Sequence, residues 1–203
     1  VEKSLEGAAK ALAAQDKATA EAVIAMDDEI DQFEVEIDRL ATNFIARHQP
    51  TATDLRFVIV AIKLGPELER VADNAVNIAR RVIHLSKSPL IKPLTDIPRI
   101  LAKAQAMVTD AITCYVSRDS KCAREIIRRD DEVDALYIQV FRVLLTFMIE
   151  DPKTISQAID LLFVARFAER IADQATNIAE EVVYLVEAEP IRHQPLDEEN
   201  HGS

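Results

Sequence analysis

Eight carboxylates fall at one repeated spacing. Asp27/Asp31, Glu69/Asp73, Asp130/Asp134 and Glu169/Asp173 are each an acid followed four residues later by another. On an α-helix, residues four apart share one face. Like charges there cost a helix roughly a few tenths of a kcal/mol. A pattern used four times calls for a compensating cation or for basic side chains. Carboxylate oxygens are hard donors, suited to Mg²⁺, Mn²⁺ or iron rather than to thiolate-bound zinc. Asn77 and Asn177 lie one turn beyond Asp73 and Asp173 and could add amide oxygens. Arg70 and Arg170 directly follow the first acid of their motifs and could neutralise nearby acids without metal. A solvated acidic face explains any one pair; recurrence at equivalent places argues against it for all four.

Other chemistries find little support. His48, His84, His193 and His201 are scattered, and none occupies a motif position. That excludes the Glu-x-x-His pairs of di-iron oxidase bundles. No phosphate-binding loop, nucleophile elbow or H-E-x-x-H is present. With 3 glycines there is no cradle of the nucleotide-binding type. A carboxylate-bound metal could activate water, yet no general base in an apolar pocket is legible. A binding or regulatory module is therefore favoured over an enzyme. The alternative is a metal-dependent hydrolase or a metal-storage helical bundle.

The elements that must position these acids are helices. The chain has 203 residues, 49% hydrophobic and 29% charged, with no Trp and 5% aromatics. So little glycine argues against hairpin-rich β folds. The segment ERVADNAVNIARRVIHL (69–85) returns as ERIADQATNIAEEVVYL (169–185), with ten of seventeen positions identical. DDEID (27–31) returns as DDEVD (130–134), and this second echo aligns Asp16 with Asp119. The chain is thus a duplication.

Apolar steps of three and four run through each half. They comprise Val23, Met26, Ile30, Phe33, Ile37, Leu40 and Phe44, then Leu64, Leu68, Val71, Ala75, Ile78, Val82 and Leu85. The second half repeats the seam at Val164, Ala168, Ile171, Ala175, Ile178, Val182 and Leu185. Such seams predict long packed helices. The expected spans are 2–15, 17–48 and 52–86, then 96–118, 120–150 and 153–188, with Asp16 and Asp119 as N-caps. The fold class is all-α: two tandem three-helix bundles related by internal duplication, at 1–88 and 94–188. A proline-rich joint runs from Ser86 to Pro98, and a flexible acidic tail covers 189–203. Gly65-Pro66 should kink or restart the third helix. The acids flank the seams and should point to the bundle surface.

The net charge is −11, from 24 basic and 35 acidic residues, which speaks against nucleic acid and anionic membrane. No apolar run reaches the ~18–20 residues of a membrane span. No signal peptide is legible, and Val1 rather than Met leaves room for native residues ahead of it. Cys114 and Cys122 form no metal or redox motif and are expected as reduced thiols of a cytoplasmic protein.

DDEID, LERVADNAVNIA, DDEVD and LLFVARFAERIADQATNIAE resemble the motif segments of the PhoU family of phosphate-signalling regulators. Small departures are Ala72 and Ala172 where the family often has glycine, and Arg80 opposite Glu180. The resemblance implies a PhoU-like double bundle that acts in the cytoplasm, peripheral to the inner membrane through a transporter. It implies a non-catalytic negative regulator of phosphate uptake and phosphate-starvation signalling. The implied partners are the ATPase subunit of an ABC phosphate importer, a PhoR-type sensor histidine kinase and a second copy in a homodimer. It also implies multinuclear iron, zinc, manganese or magnesium on Asp27, Asp31, Glu69 and Asp73 in one half. In the other half the implied ligands are Asp130, Asp134, Glu169 and Asp173.

Overall fold

The protein is described by a computed structural model over residues 1–87, 89–91 and 96–189, apart from the side chains of Asp28 and Asp31. In chain order the helices are α1 (Glu2–Ala14), α2 (Lys17–Ile24), α3 (Asp27–His48), α4 (Ala52–Leu85), α5 (Asp96–Ser117), α6 (Ser120–Glu150) and α7 (Ile155–Glu187). A 3₁₀ turn at Pro152–Thr154 leads into α7, and no strand occurs among the described residues. The tail beyond Glu189, with His193 and His201, lies outside them, as do Ser88 and Pro93 of the joint. Among the described residues no helix is long and apolar enough to cross a membrane.

The duplication is written into the backbone. Gln15 and Arg118, each one residue ahead of a capping aspartate, take φ of 50° and 55°. The next N–H closes back onto the last helical turn, Asp16 to Ala11 at 2.9 Å and Asp119 to Cys114 at 3.0 Å. Each aspartate then caps the following helix. Asp16 accepts from the N–H groups of Ala18 and Thr19 at 3.1 and 3.2 Å, and Asp119 from Lys121 and Cys122 at 3.0 and 3.1 Å. Both N-caps stand as expected.

The predicted seams of α4 and α7 are core. Every α7 seam residue has 0% exposure, and in α4 only Leu68 is left half-buried. Helix α7 packs on α4, α5 and α6, so apolar side chains of both halves share one cluster. The joint is tied to α7 by Gln157, which donates to the Pro89 carbonyl at 2.9 Å and accepts from the Ile91 N–H at 2.7 Å.

Four expectations need correction. The span 17–48 is two helices, broken at Ala25-Met26, whereas its counterpart α6 is continuous. An acidic run suits a helix start. Inside a helix it needs nearby cations, and α6 has Arg128 and Arg129 just ahead of Asp130 where the first half has Ala25 and Met26. Secondly, Phe33, Leu40 and Phe44 are 55%, 54% and 43% exposed rather than core. The three-and-four period marks an apolar face of α3 without saying what covers it; in the second half α5 runs along α6 as far as the Gln139–Asp96 hydrogen bond. Leu136 and Val140, equivalent to Phe33 and Ile37, are accordingly buried.

Thirdly, of the kink or restart expected at Pro66, the restart does not occur; the helix continues from Ala52 to Leu85. Gly65 is the point of close approach, since a Cβ there would lie 3.3 Å from Cγ of Glu34 on α3. Finally, the cysteines are not free thiols. Cys114 of α5 and Cys122 of α6 form a disulfide across the α5–α6 corner, with Cα atoms 5.8 Å apart. Eight residues of helix, turn and helix bring them together, a folding-back that linear spacing does not display.

Candidate functional site

In the second half, α6 carries Asp130 and Asp134 while α7 carries Glu169 and Asp173. The two helices pack side by side, and the four carboxylates feel one another. Asp130 is pushed up to about 6, first by burial and then by Asp173 and Asp134, with Thr176 drawing it the other way. Glu169 is pushed up to about 7 by burial and then Asp173; Arg166 opposes this. Asp173 is also raised, by burial and then Asp134, against Arg166 and Arg170. These are the directions expected of acids crowded at a half-dry helix interface.

The orphaned atoms are as telling as the charges. Oδ1 of Asp130 and Oε2 of Glu169 are buried without a hydrogen-bond donor. A buried acceptor in that state is costly unless a proton or cation supplies the missing interaction. Oxygen-only donors of this kind fit a hard cation. The carboxylates do not close into a ligand shell. Among the described residues, no three His, Cys, Asp or Glu side chains are grouped so as to hold a metal ion.

The first half is arranged differently. Glu69 lines an open groove of about 630 Å³ between α1, α3 and α4, together with Met26, Ile30 and Leu68. Asp73 is exposed, Asp27 opens α3 half-buried, and the side chain of Asp31 lies outside the described residues.

The expectation that all these acids point outward fails at Glu169, which is 8% exposed. Helix α7 touches three helices, so residues beside its seam are covered too. Both arginines act on nearby acids as expected: Arg70 pairs with Glu67 at 3.0 Å and Arg170 draws Asp173 downward, while Arg166 pairs with Glu169. Residues three apart on a helix face each other; adjacent ones do not. The amides turn to other duties: Asn77 accepts from Arg80 at 3.3 Å, and Asn177 donates to Glu67 of α4 at 3.2 Å.

Sequence reasoning missed Arg166, Glu67, Lys63 and Glu181. The i,i+3 spacing of Arg166 to Glu169 was readable, and its counterpart in the first half is Pro66, which carries no charge. Lys63 and Glu181 meet across the halves at 2.8 Å, and no local spacing announces that.

The PhoU domain family model matches residues 1–82 and 97–182. The chain belongs to the PhoU family. A phosphate-specific transport system accessory protein PhoU homolog from Aquifex aeolicus is 42% identical over 198 residues, 98% of this chain and 90% of that protein. The homolog from Pseudomonas aeruginosa is 38% identical over 196 residues, 95% of this chain and 80% of its own length. The crystal structure of PhoU from Pseudomonas aeruginosa superposes with a TM-score of 0.87 at 37% identity, covering 93% of this chain and 90% of that one. The phosphate transport system regulatory protein PhoU from Streptococcus pneumoniae gives 0.86 at 27% identity, covering 93% and 89%. The first PhoU segment contains Asp27 to Asp73, and the second contains Asp130 to Asp173.

Proposed function

We propose that this PhoU-family chain is a non-catalytic adaptor that restrains phosphate uptake and phosphate-starvation signalling. Its relatives are named accessory proteins of the phosphate-specific transport system. In this reading it acts in the cytoplasm as a homodimer. It sits at the inner membrane through the ATPase subunit of an ABC phosphate importer and also contacts a PhoR-type sensor histidine kinase.

The observation that carries the mechanism is the α6–α7 carboxylate cluster, with its two orphaned oxygens on Asp130 and Glu169. Asp130, Asp134, Glu169 and Asp173 would hold magnesium, manganese, iron or zinc there, with Asp27, Asp31, Glu69 and Asp73 as the first-half set. When bound, the metal supplies positive charge that removes the mutual repulsion of the acids. The chain's own residues set how strongly that is needed. Burial of Glu169 against α6 raises the cost of its charge. Arg166 offsets part of that charge, and Asp134 stays exposed at the mouth of the cluster. Neutralising the cluster changes the charge of the α6–α7 face offered to a partner.

The test has two arms. Elemental analysis of remetallated protein should show metal lost in an Asp130→Ala/Asp173→Ala double variant. Equal metal content in variant and parent refutes the ligand assignment. A pulldown of the importer ATPase and the sensor kinase with the intact chain should retain both; retention of neither refutes the adaptor.

A further inference from the structure

On the neighbouring face of α6, turned towards α5, basic rather than acidic residues converge. Arg99 and Lys103, one turn apart on α5, and Arg129 on α6 line a groove of about 330 Å³. Met107 and Val133, both buried, supply apolar wall. In a chain of net charge −11, three cations on one groove are not the background composition. Two of them have acidic partners: Lys103 meets Glu132 at 2.5 Å and Arg129 meets Asp110 at 2.7 Å. Neither acid lines the groove. Arg129 uses Nη2 for Asp110, while its Nε–H is buried with no acceptor.

We propose that this α5–α6 groove binds a phosphate group, either as inorganic phosphate or as a small phosphomonoester. Two guanidinium groups and an ammonium around one groove match a tetrahedral oxyanion. Apolar walls strengthen such charge-assisted bonds by lowering the local dielectric. Three cations against two acids leave the groove net positive. The pull on an anion is already visible: Glu132 is held below the usual carboxylate range, first by its hydrogen bond to Lys103, with Arg129 and Arg99 adding to it. Glu132 is thus the internal competitor of an incoming ligand. The first half has no such site, because Met26 and Ile30 stand where Arg129 and Val133 stand in the second. The proposal is independent of the adaptor reading and of any metal on the acidic cluster.

Calorimetric titration of the chelator-treated full chain at low ionic strength tests it, with inorganic phosphate, glycerol phosphate and acetate as probes. Phosphate or the ester should bind, and acetate should bind far more weakly. Tighter binding of glycerol phosphate assigns the site to an ester, and equal binding assigns it to free phosphate. Arg129→Lys keeps the charge but loses the fork, and Lys103→Gln removes one cation; each should weaken binding about tenfold. Glu132→Gln should tighten binding by releasing Lys103. Circular dichroism confirms that each variant is folded. No heat from either phosphate probe, equal binding of acetate, or unchanged affinity in the folded Arg129→Lys and Lys103→Gln variants overturns the proposal.

Discussion

Lys63 of α4 reaches Glu181 of α7 at 2.8 Å, and their duplicated counterparts meet with roles exchanged: Arg81 of α4 lies 4.2 Å from the ring centroid of Phe163 on α7. A pair of duplicated helices crossing about a local twofold produces this exchange. Midway between the two contacts in sequence lie Ala72 and Ala172, both buried, whose small side chains suit a close crossing. Both cations also make the other kind of contact with α7: Arg81 pairs with Asp160 at 3.0 Å, and Lys63 lies 5.1 Å from the ring centroid of Tyr184. Glu181 is 4% exposed and Lys63 is 45% exposed at the side chain, so the carboxylate carries the desolvation. Lys63→Met should therefore cost about 1–2 kcal/mol, the scale of removing a charged partner from a buried acceptor, discounted for the exposed lysine. Urea denaturation measures it; an unchanged midpoint would show that the pair does not stabilise the α4–α7 contact.

Gly7 tests the α1–α2 packing. A Cβ at this position would lie 2.6 Å from Cγ2 of Val23, a buried side chain on α2. Alanine gains about 1 kcal/mol in helix propensity, but overpacking a core costs about 1–3 kcal/mol. Valine is stiff at χ1 and has little room to turn away. Gly7→Ala should lower thermal stability on balance. A raised melting temperature would show that α1 and α2 move apart without penalty.

The acidic cluster sets a pH dependence whose sign is opposite to that of ordinary paired carboxylates. Asp130 and Glu169 have folded-state values pushed up to about 6 and about 7, above their unfolded values. The folded chain therefore binds more protons than the unfolded one in that window. Their contribution is present below the ordinary carboxylate range and is lost as pH rises through about 6 and 7. Asp16 and Glu132 are shifted downward, so their contribution is already complete above the ordinary carboxylate range and is lost only at lower pH. Chelator-treated protein should melt at a higher temperature near pH 5.5 than near pH 8. Glu169→Gln should flatten that difference, and an identical slope in the variant would remove Glu169 from the account.

The Cys114–Cys122 disulfide closes a segment with a sequence separation of 8. Loop closure of that size corresponds to about 2–3 kcal/mol in the chain-entropy model. Oxidised protein should show no thiol by Ellman titration after unfolding, and reductant should lower its melting temperature. Two titratable thiols without reductant would contradict the bond.

The sequence by itself determined the helices and their duplication. Leu64 to Leu85 and Val164 to Leu185 state their burial through a short-range period, because helix geometry relates residues three and four apart without reference to anything distant. The same locality made the acid pairs and the two aspartate caps readable. Tertiary structure decided which pairs became a cluster. Glu169 is buried because α7 lies among three helices, whereas Glu69 borders an open groove. Phe33 reads as core by period and is exposed. The Lys63–Glu181 bridge, the Asn177–Glu67 bond and the Cys114–Cys122 link depend on how separate helices meet. Burial and partnership across helices are properties of packing, and the linear pattern specifies only the face each helix can offer.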